Sequence, residues 1–571
     1  MPSLIERLAD GIASVVTNTL GPIANFLEGY VWNWPPSVPL LAVVLLGTGF
    51  YVTLRLAFVQ VRGFKHAIAI TRGKYDDPND EGDLRHFQAL TTALSATVGI
   101  GNIAGVAIAI RMGGPGALFW MWVTAFFGMA LKFAECTLAQ KYREVHPDGS
   151  VSGGPMYYIE KGLKGKWGKP ARWMALFFAG LCVISSFGSG NMNQSNTMAV
   201  QVEDTFGIPP VWTSLIFAIL VGTVIIGGIK RIGKVTAIVA PAMGILYVVG
   251  ALVILMINIR HVPSGLVLIV TQAFAPSSLV GGGVASFLLT LMWGVRRGLF
   301  SNEAGQGSAP IAHATAKTDE PVREGLVASL EPFIDTLVIC TMTGLVVVTS
   351  GAYLDKVEQT FPVTALEAVV SQEAVDADLL TLRQARPEST TVTVREGVVQ
   401  GASLVHLDSV VENLRLEAAD GSPWNGSLNL AADGSVSLLG EAAEPVARGG
   451  ALHTGAELTA LGFTKGMGHT GKLIVTLAVL LFAVSTAISW SYYGDRATEY
   501  LFGSRFIPIY RWVFVGFFFL GGILPLQAVW TMGDVALGLM SFPNLIALIL
   551  LSGSVTAMSQ KYFAKEQVPN R

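Results

Sequence analysis

Two apolar stretches of this chain are broken in mid-course by glycine and polar residues, and that feature limits the folds open to it. The first is ALTTALSATVGIGNIAGVAIAI, residues 89–110, interrupted around Gly99, Gly101 and Asn102. The second is FLLTLMWGVRRGLFSNEAGQGSAPIAH, residues 287–313, interrupted between Arg296 and Ser308. A helix that stops and restarts within lipid frees backbone N–H and C=O groups that no water can satisfy. Such a break survives only where protein encloses it or where it lines a cavity. Two of them in a chain with many spans point to a binding site near the membrane midplane, as in secondary transporters.

Composition agrees with a membrane setting: 51% of residues are hydrophobic and 14% charged, against about 25% charged in soluble domains. Stretches of about 20 apolar residues fall near 38–58, 89–111, 115–140, 173–200, 211–228, 235–258, 284–311, 325–352, 470–493, 508–530 and 533–558. The stretch 262–283 is too short and too rich in Gly and Pro to span, and is expected to be a loop helix. Residues 1–37 carry SLIERLADGIASVV, an amphipathic pattern that suits a helix lying on the membrane. Arg7 is the only basic residue at the start and has Glu6 and Asp10 close by, which is unlike a cleavable signal. Cys136, Cys182 and Cys340 all lie in apolar stretches, so neither a disulfide framework nor a metal set is indicated. A net charge of −2 gives no case for nucleic acid, and no Walker-type loop is present.

Lys and Arg gather in the loops 59–88, 141–172, 229–235, 312–324 and 494–507, while the alternate short loops hold little beyond Arg111 and Arg260. The positive-inside rule then puts the N-terminus outside and the C-terminus in the cytoplasm, which requires an odd number of spans. The expected fold is an all-α polytopic membrane protein of eleven spans. If the first span is accessory, the rest form two sets of five that cross in opposite senses, each opening with its broken helix, which is an inverted repeat.

The expected organisation is an interfacial segment (1–37), spans 1–8 (38–352), an insert (353–468), spans 9–11 (469–558) and a cytoplasmic tail (559–571). The insert is polar, with 16 Asp and Glu against 7 Lys and Arg, a balance of −9. TTVTVREGVV, SLVHLDSVVENLRLE and SLNLAADGSVSLLG alternate apolar and polar residues, with Asp420-Gly421 and Asp433-Gly434 as turn signals. These predict a small extracytoplasmic antiparallel β module. It is read as a stabilising or spacing insert, with sensing of an unknown ligand or docking of a partner as the alternative.

Several motifs carry a resemblance: SATVGIGNIAGVA (95–107), SGGPMYYIEKGL (152–163), GSGNMNQSNTMA (188–199), WGVRRGLFSNEAGQGSAPIAHATAKTD (293–319) and STAISWSYYGDRATEYLFG (485–503). In this order they resemble the alanine or glycine:cation symporter family across essentially all of the membrane region. The resemblance implies a leucine-transporter-type fold in the cell (inner) membrane and sodium-driven symport of a small neutral amino acid: alanine, glycine or serine. The insert departs from the family's usual short loop.

An amino-acid carboxylate is well served by free backbone N–H groups and the positive end of a half-helix. Gly99 and Gly101 leave room for that approach, and Gly105 less decisively so; Asn102 adds an amide beside the break. The resemblance places Asn102, Gln194 and Trp490 in the substrate pocket, with core packing and interhelical hydrogen bonding as their structural alternatives. By the same analogy sodium, which seeks oxygen ligands, would meet the backbone of Thr97, Val98 and Gly101 and the hydroxyls of Ser485 and Thr486. Glu303, in the second break, is expected to cap freed N–H groups, to pair with Arg296 or Arg297, or to carry a proton. Lys132 and Glu135 are spaced for a pair within one helix. Glu331 and Asp335 share a helix face, so a proton-coupled mechanism could use them. The rivals to a sodium symporter are therefore a proton-coupled one and a transceptor that senses through the insert. No nucleophile or metal set suggests an enzyme.

Overall fold

A computed structural model describes residues 19, 21–32, 34–35, 40–147, 149–275, 284–369, 390–406, 409–418, 420–431, 434–439, 445–524 and 526–565. Most of the expected interfacial helix, the end of the 262–283 stretch, Asp433 of the second turn signal and the last six residues of the tail lie outside them.

Apolar stretches without water must satisfy their backbone internally, and they do so as helices. In chain order these are α1 (Leu40–Arg55), α2 (His86–Thr97), α3 (Val106–Gly113), α4 (Ala117–Tyr142), α5 (Lys169–Phe206), α6 (Pro210–Ile225), α7 (Gly228–Ile257), α8 (Val262–Phe274), α9 (Val284–Asn302), α10 (Ala309–His313), α11 (Pro321–Thr349), α12 (Gly455–Met467), α13 (His469–Phe502), α14 (Ile507–Ile523) and α15 (Leu526–Lys565). Among the described residues, α4, α5, α7, α11, α13, α14 and α15 are the seven long and apolar enough to cross a membrane. The pair formed by α2 and Gly101–Gly113, bent by 51°, makes an eighth. The outward side of α7 carries exposed Ile238, Ile245 and Met256, as a lipid-facing surface would. The chain is a helical polytopic membrane protein.

Between α11 and α12 the described residues form short antiparallel strands. Lys356–Pro362 pairs with Val446–Leu452 along its whole length, Lys356 standing opposite Leu452. Thr390–Arg395 pairs with Gly426–Leu430, which pairs with Val436–Leu438. Gly421 and Gly434 turn the chain at φ of 82° and 91°. Phe361, Leu404, Leu416, Trp424 and Leu428 gather into a core separate from that of the helices. The end of this polar stretch differs from the β expectation, because residues 455–467 form α12. Its buried Ala456, Leu458 and Phe463 pack inward, while Glu457 and Lys465 had obscured the helical spacing. Thr459 Oγ1 donates to Ile103 O at 3.0 Å, so α12 leans on the first break.

Candidate functional site

The first break is held open by side chains from elsewhere in the bundle. α2 stops at Thr97, a π turn covers Gly101–Gly105, and α3 follows. Gly99 N–H donates to Asn102 Oδ1 at 2.9 Å, and Ile100 N–H to Gln194 Oε1 at 3.3 Å. Asn102 O accepts from Thr343 Oγ1 at 2.7 Å. These three freed groups thus find partners, as burial demands. Gly99 and Gly101 are needed for close approach. A Cβ on Gly99 would lie 2.5 Å from Thr486 Oγ1, and one on Gly101 would lie 3.1 Å from Phe300.

The second break begins where α9 ends. Glu303 takes a left-handed φ of 56°, a conformation costing a non-glycine residue about 1–3 kcal/mol and concentrated at functional sites. Its carboxylate accepts from Trp490 Nε1 at 2.8 Å and from Ser308 Oγ. Gly305 and Gly307 continue the loop at φ of 85° and 89°, and α10 restarts at Ala309. Opposite, α5 opens into a π turn at Gly188–Met192, a local widening common at functional sites. Gly190 lies directly beneath the Trp490 indole, where a Cβ would overlap the ring.

These pieces enclose one small cavity. Ala96, Thr97, Gly99 and Gly101 line it from the first break, Ser189 and Gln194 from α5, Phe300 and Glu303 from the second break, and Trp490 and Leu537 from α13 and α15. Its volume is about 10 Å³, room for a single water at most. Of the expected site residues, Gly99, Gly101, Gln194, Trp490, Thr97 and Glu303 meet here. The others do not line it. Asn102 sits behind the break: its Nδ2 donates to Asp335 Oδ1 at 2.6 Å while its Oδ1 braces Gly99. Thr486 Oγ1 reaches Ser95 O at 3.0 Å, beside Gly99. Ser485 instead faces α7, donating to Phe482 O at 3.0 Å with Met243 Sδ at 3.2 Å. The hydroxyls of Ser95 and Ser489, on the two helices that face each other there, are buried and have no hydrogen-bond partner among the described residues. The side chain of Val98 faces a different hollow.

The buried charges pair differently from the expectation. Glu303 does not meet Arg296 or Arg297. Both arginines bind Asp534, through Arg296 Nε at 2.8 Å and Arg297 Nη2 at 2.5 Å, and Arg296 also meets Glu28. Nor do Lys132 and Glu135 pair along their helix. Lys132 Nζ lies 3.1 Å from Glu331 Oε2, and Glu135 accepts from Asn544 Nδ2 at 2.7 Å, because α4 packs against α11 on one side and α15 on another. Glu331 and Asp335 have separate partners. Asp335 accepts from Asn102, Ser301 and Thr336. Glu331 accepts from Lys132 and from His313 Nε2 at 2.6 Å. His313 Nδ1 continues to Glu324 at 2.5 Å, and Glu324 to His86. With carboxylates on both ring nitrogens, His313 is either an imidazolium or sits beside a protonated carboxyl, since a neutral ring has one donor. Asp534, Asn544, His313 and Glu324 were missed; a polar residue inside a span was the signal available for Asp534 and Asn544. Phe300 and Leu537 gave none.

The sequence profile of the sodium:alanine symporter family matches residues 17–382 and 436–570, leaving 383–435, within the strand-forming stretch, outside the match. The chain is 39% identical over 540 residues to a sodium/alanine symporter of Methanococcus maripaludis, covering 95% of this chain and 96% of that one. It is 37% identical over 553 residues to an uncharacterized transporter of Haemophilus influenzae, covering 96% and 98%. It is 29% identical over 546 residues to an amino-acid carrier protein of Bacillus subtilis, covering 95% and 92%.

Proposed function

The chain belongs to the sodium:alanine symporter family and is a cation-coupled amino-acid transporter; from that premise we propose that it carries a small neutral amino acid, alanine foremost, into the cell together with sodium. In this reading the two 16-residue helices α1 and α6 and the α9–α10 pair also span, giving eleven crossings. The spans α2/α3 to α7 and α9/α10 to α15 are then two inverted sets of five, with the N-terminus outside, the C-terminus in the cytoplasm and the polar insert extracytoplasmic.

The observation that carries the reading is the cavity where both breaks meet Gln194 and Trp490. The substrate carboxylate would take the Ile100 N–H that Gln194 Oε1 now occupies at 3.3 Å, so Gln194 acts as a placeholder that turns to hold the substrate. The ammonium would face Glu303, and Trp490 would cap the small side chain. Sodium would lie between α2 and α13, bridging the backbone of Thr97, Val98 and Gly101 to the Thr486 and Ser489 hydroxyls of α13, with Ser485 of the same helix turning away from α7 to join them. A cavity of about 10 Å³ admits no amino acid, so loading requires α2 and α9 to part from α5 and α13. Sodium joins α2 to α13, and so raises amino-acid affinity by favouring the assembled site.

Binding of labelled alanine to the purified protein tests this. The reading predicts saturable binding that rises with sodium and is lost in Gln194→Ala and Thr486→Ala. Binding that ignores sodium but follows pH would move coupling to the buried carboxylates Glu303, Glu331 and Asp335.

A further inference from the structure

A hollow far larger than the cavity of the two breaks lies beside it. It is a crevice of about 1210 Å³ between α2, α7 and α11, larger than the about 300–1,000 Å³ of small-molecule pockets. Leu90, Leu94 and Val98 wall it on α2, Ala240 and Ile245 on α7, and Ile334 and Ile339 on α11. Its lining changes character at one end, where Arg72, Asp76, Arg85 and Gln88 take over. A second hollow of about 570 Å³ shares those four residues and adds Asp77, Asp83 and Lys317. The crevice follows α2 from Arg85 to Val98, a rise of roughly 20 Å at about 1.5 Å per residue. One leaflet of hydrocarbon is about 15 Å deep, half of a core about 30 Å thick. The crevice is therefore long enough to reach from the polar interface to a break at mid-membrane.

We propose that this crevice is a binding site for one zwitterionic aminophospholipid, its phosphate on Arg72 and Arg85, its headgroup amine on Asp76 and Asp77, and an acyl chain along α2. Length, apolar lining and a polar end of mixed sign all fit that molecule. Arg72 and Arg85 are exposed, and among the described residues neither forms an ion pair. A guanidinium pair matches a phosphate with directed hydrogen bonds, whereas the neighbouring carboxylates would repel a purely anionic headgroup. The loops holding both arginines are those the positive-inside rule places in the cytoplasm, so the lipid comes from the inner leaflet. Its acyl chain packs on Leu90 and Leu94 and braces the half-helix α2. The site does not depend on which solute or ion the protein carries.

Gly244 supplies the test. It lines the crevice, and a Cβ there meets nothing within 4 Å, so the Gly244→Phe side chain starts into open space and obstructs the hollow. The measurement is native mass spectrometry of the detergent-purified full chain, titrated in turn with phosphatidylethanolamine, phosphatidylglycerol and diacylglycerol. The unsubstituted chain retains one phosphatidylethanolamine, in preference to the other two, and its thermal unfolding temperature rises with that lipid. Gly244→Phe keeps its unfolding temperature in detergent but loses both the retained lipid and the rise. Arg72→Ala with Arg85→Ala loses the preference over diacylglycerol. Equal retention by Gly244→Phe overturns the site. Retention of phosphatidylglycerol as strong as that of phosphatidylethanolamine overturns the headgroup assignment.

Discussion

Asp534→Asn is the substitution whose cost follows most directly from the charge arrangement. The Asp534 carboxylate is shared by two buried guanidiniums, Arg296 at 2.8 Å and Arg297 at 2.5 Å. Arg296 keeps a second anion in Glu28, which is about a quarter exposed at 24%. Arg297 has no other carboxylate among the described residues; its remaining support is stacking, with its guanidinium carbon 4.9 Å from the Trp530 ring centre. The four groups balance two negative charges against two positive. Asparagine keeps the shape but leaves one buried positive charge in excess, and removing one partner of a buried pair costs about 3–5 kcal/mol. Arg297→Met should cost less, about 1.5–3 kcal/mol for a lost charged hydrogen bond, because Asp534 keeps Arg296 and the excess negative charge can shift toward the better solvated Glu28. The double variant restores neutrality, so its cost should fall below the sum by about 1 kcal/mol or more. Denaturant unfolding in mild detergent, followed by tryptophan fluorescence, gives all three values. Arg297→Met proving costlier than Asp534→Asn, or a strictly additive double variant, would refute the shared-carboxylate account.

Gly190→Ala should overpack the Trp490 indole, costing about 1–3 kcal/mol and abolishing alanine binding; a melting curve paired with a binding isotherm checks both. Lys132→Met leaves Glu331 with His313 alone and should cost about 3–5 kcal/mol, whereas Glu135→Gln, whose partner is a neutral amide, should cost less than about 1.5 kcal/mol; the order of the two in one unfolding series decides. Lys356 and Leu452 stand opposite each other, within about 5.5 Å, so replacing 357–451 with a short glycine linker should leave alanine uptake intact. Loss of uptake in a variant that still melts cooperatively would favour a sensing insert.

What could be read in the sequence was what declares itself locally. Gly99, Gly101 and Asn102 in an apolar run announce a break, and Glu303 with Gly305 and Gly307 announces another. Gln194 and Trp490 came through a resemblance between motifs. The partners of these residues could not be read, because they lie far along the chain: Asn102 and Asp335 are 233 positions apart, and Lys132 and Glu331 are 199 apart. Spacing along one helix made Glu135 the natural partner for Lys132, yet the packing of α4 against α11 decided otherwise. The left-handed backbone of Glu303 had no sequence signal either, since glutamate favours no such conformation. Leu537 reads as any other core leucine until the fold turns it toward the breaks. α12 was hidden by the acidic, glycine-rich stretch around it.

The most direct test of the account is labelled-alanine uptake into proteoliposomes under an inward sodium gradient, with an equal potassium gradient and an imposed pH gradient as comparisons. The account predicts uptake that requires sodium and falls about tenfold or more, equivalent to about 1.4 kcal/mol, in both Thr486→Ala and Gln194→Ala. Uptake of equal rate under potassium, or driven by the pH gradient alone, would contradict it.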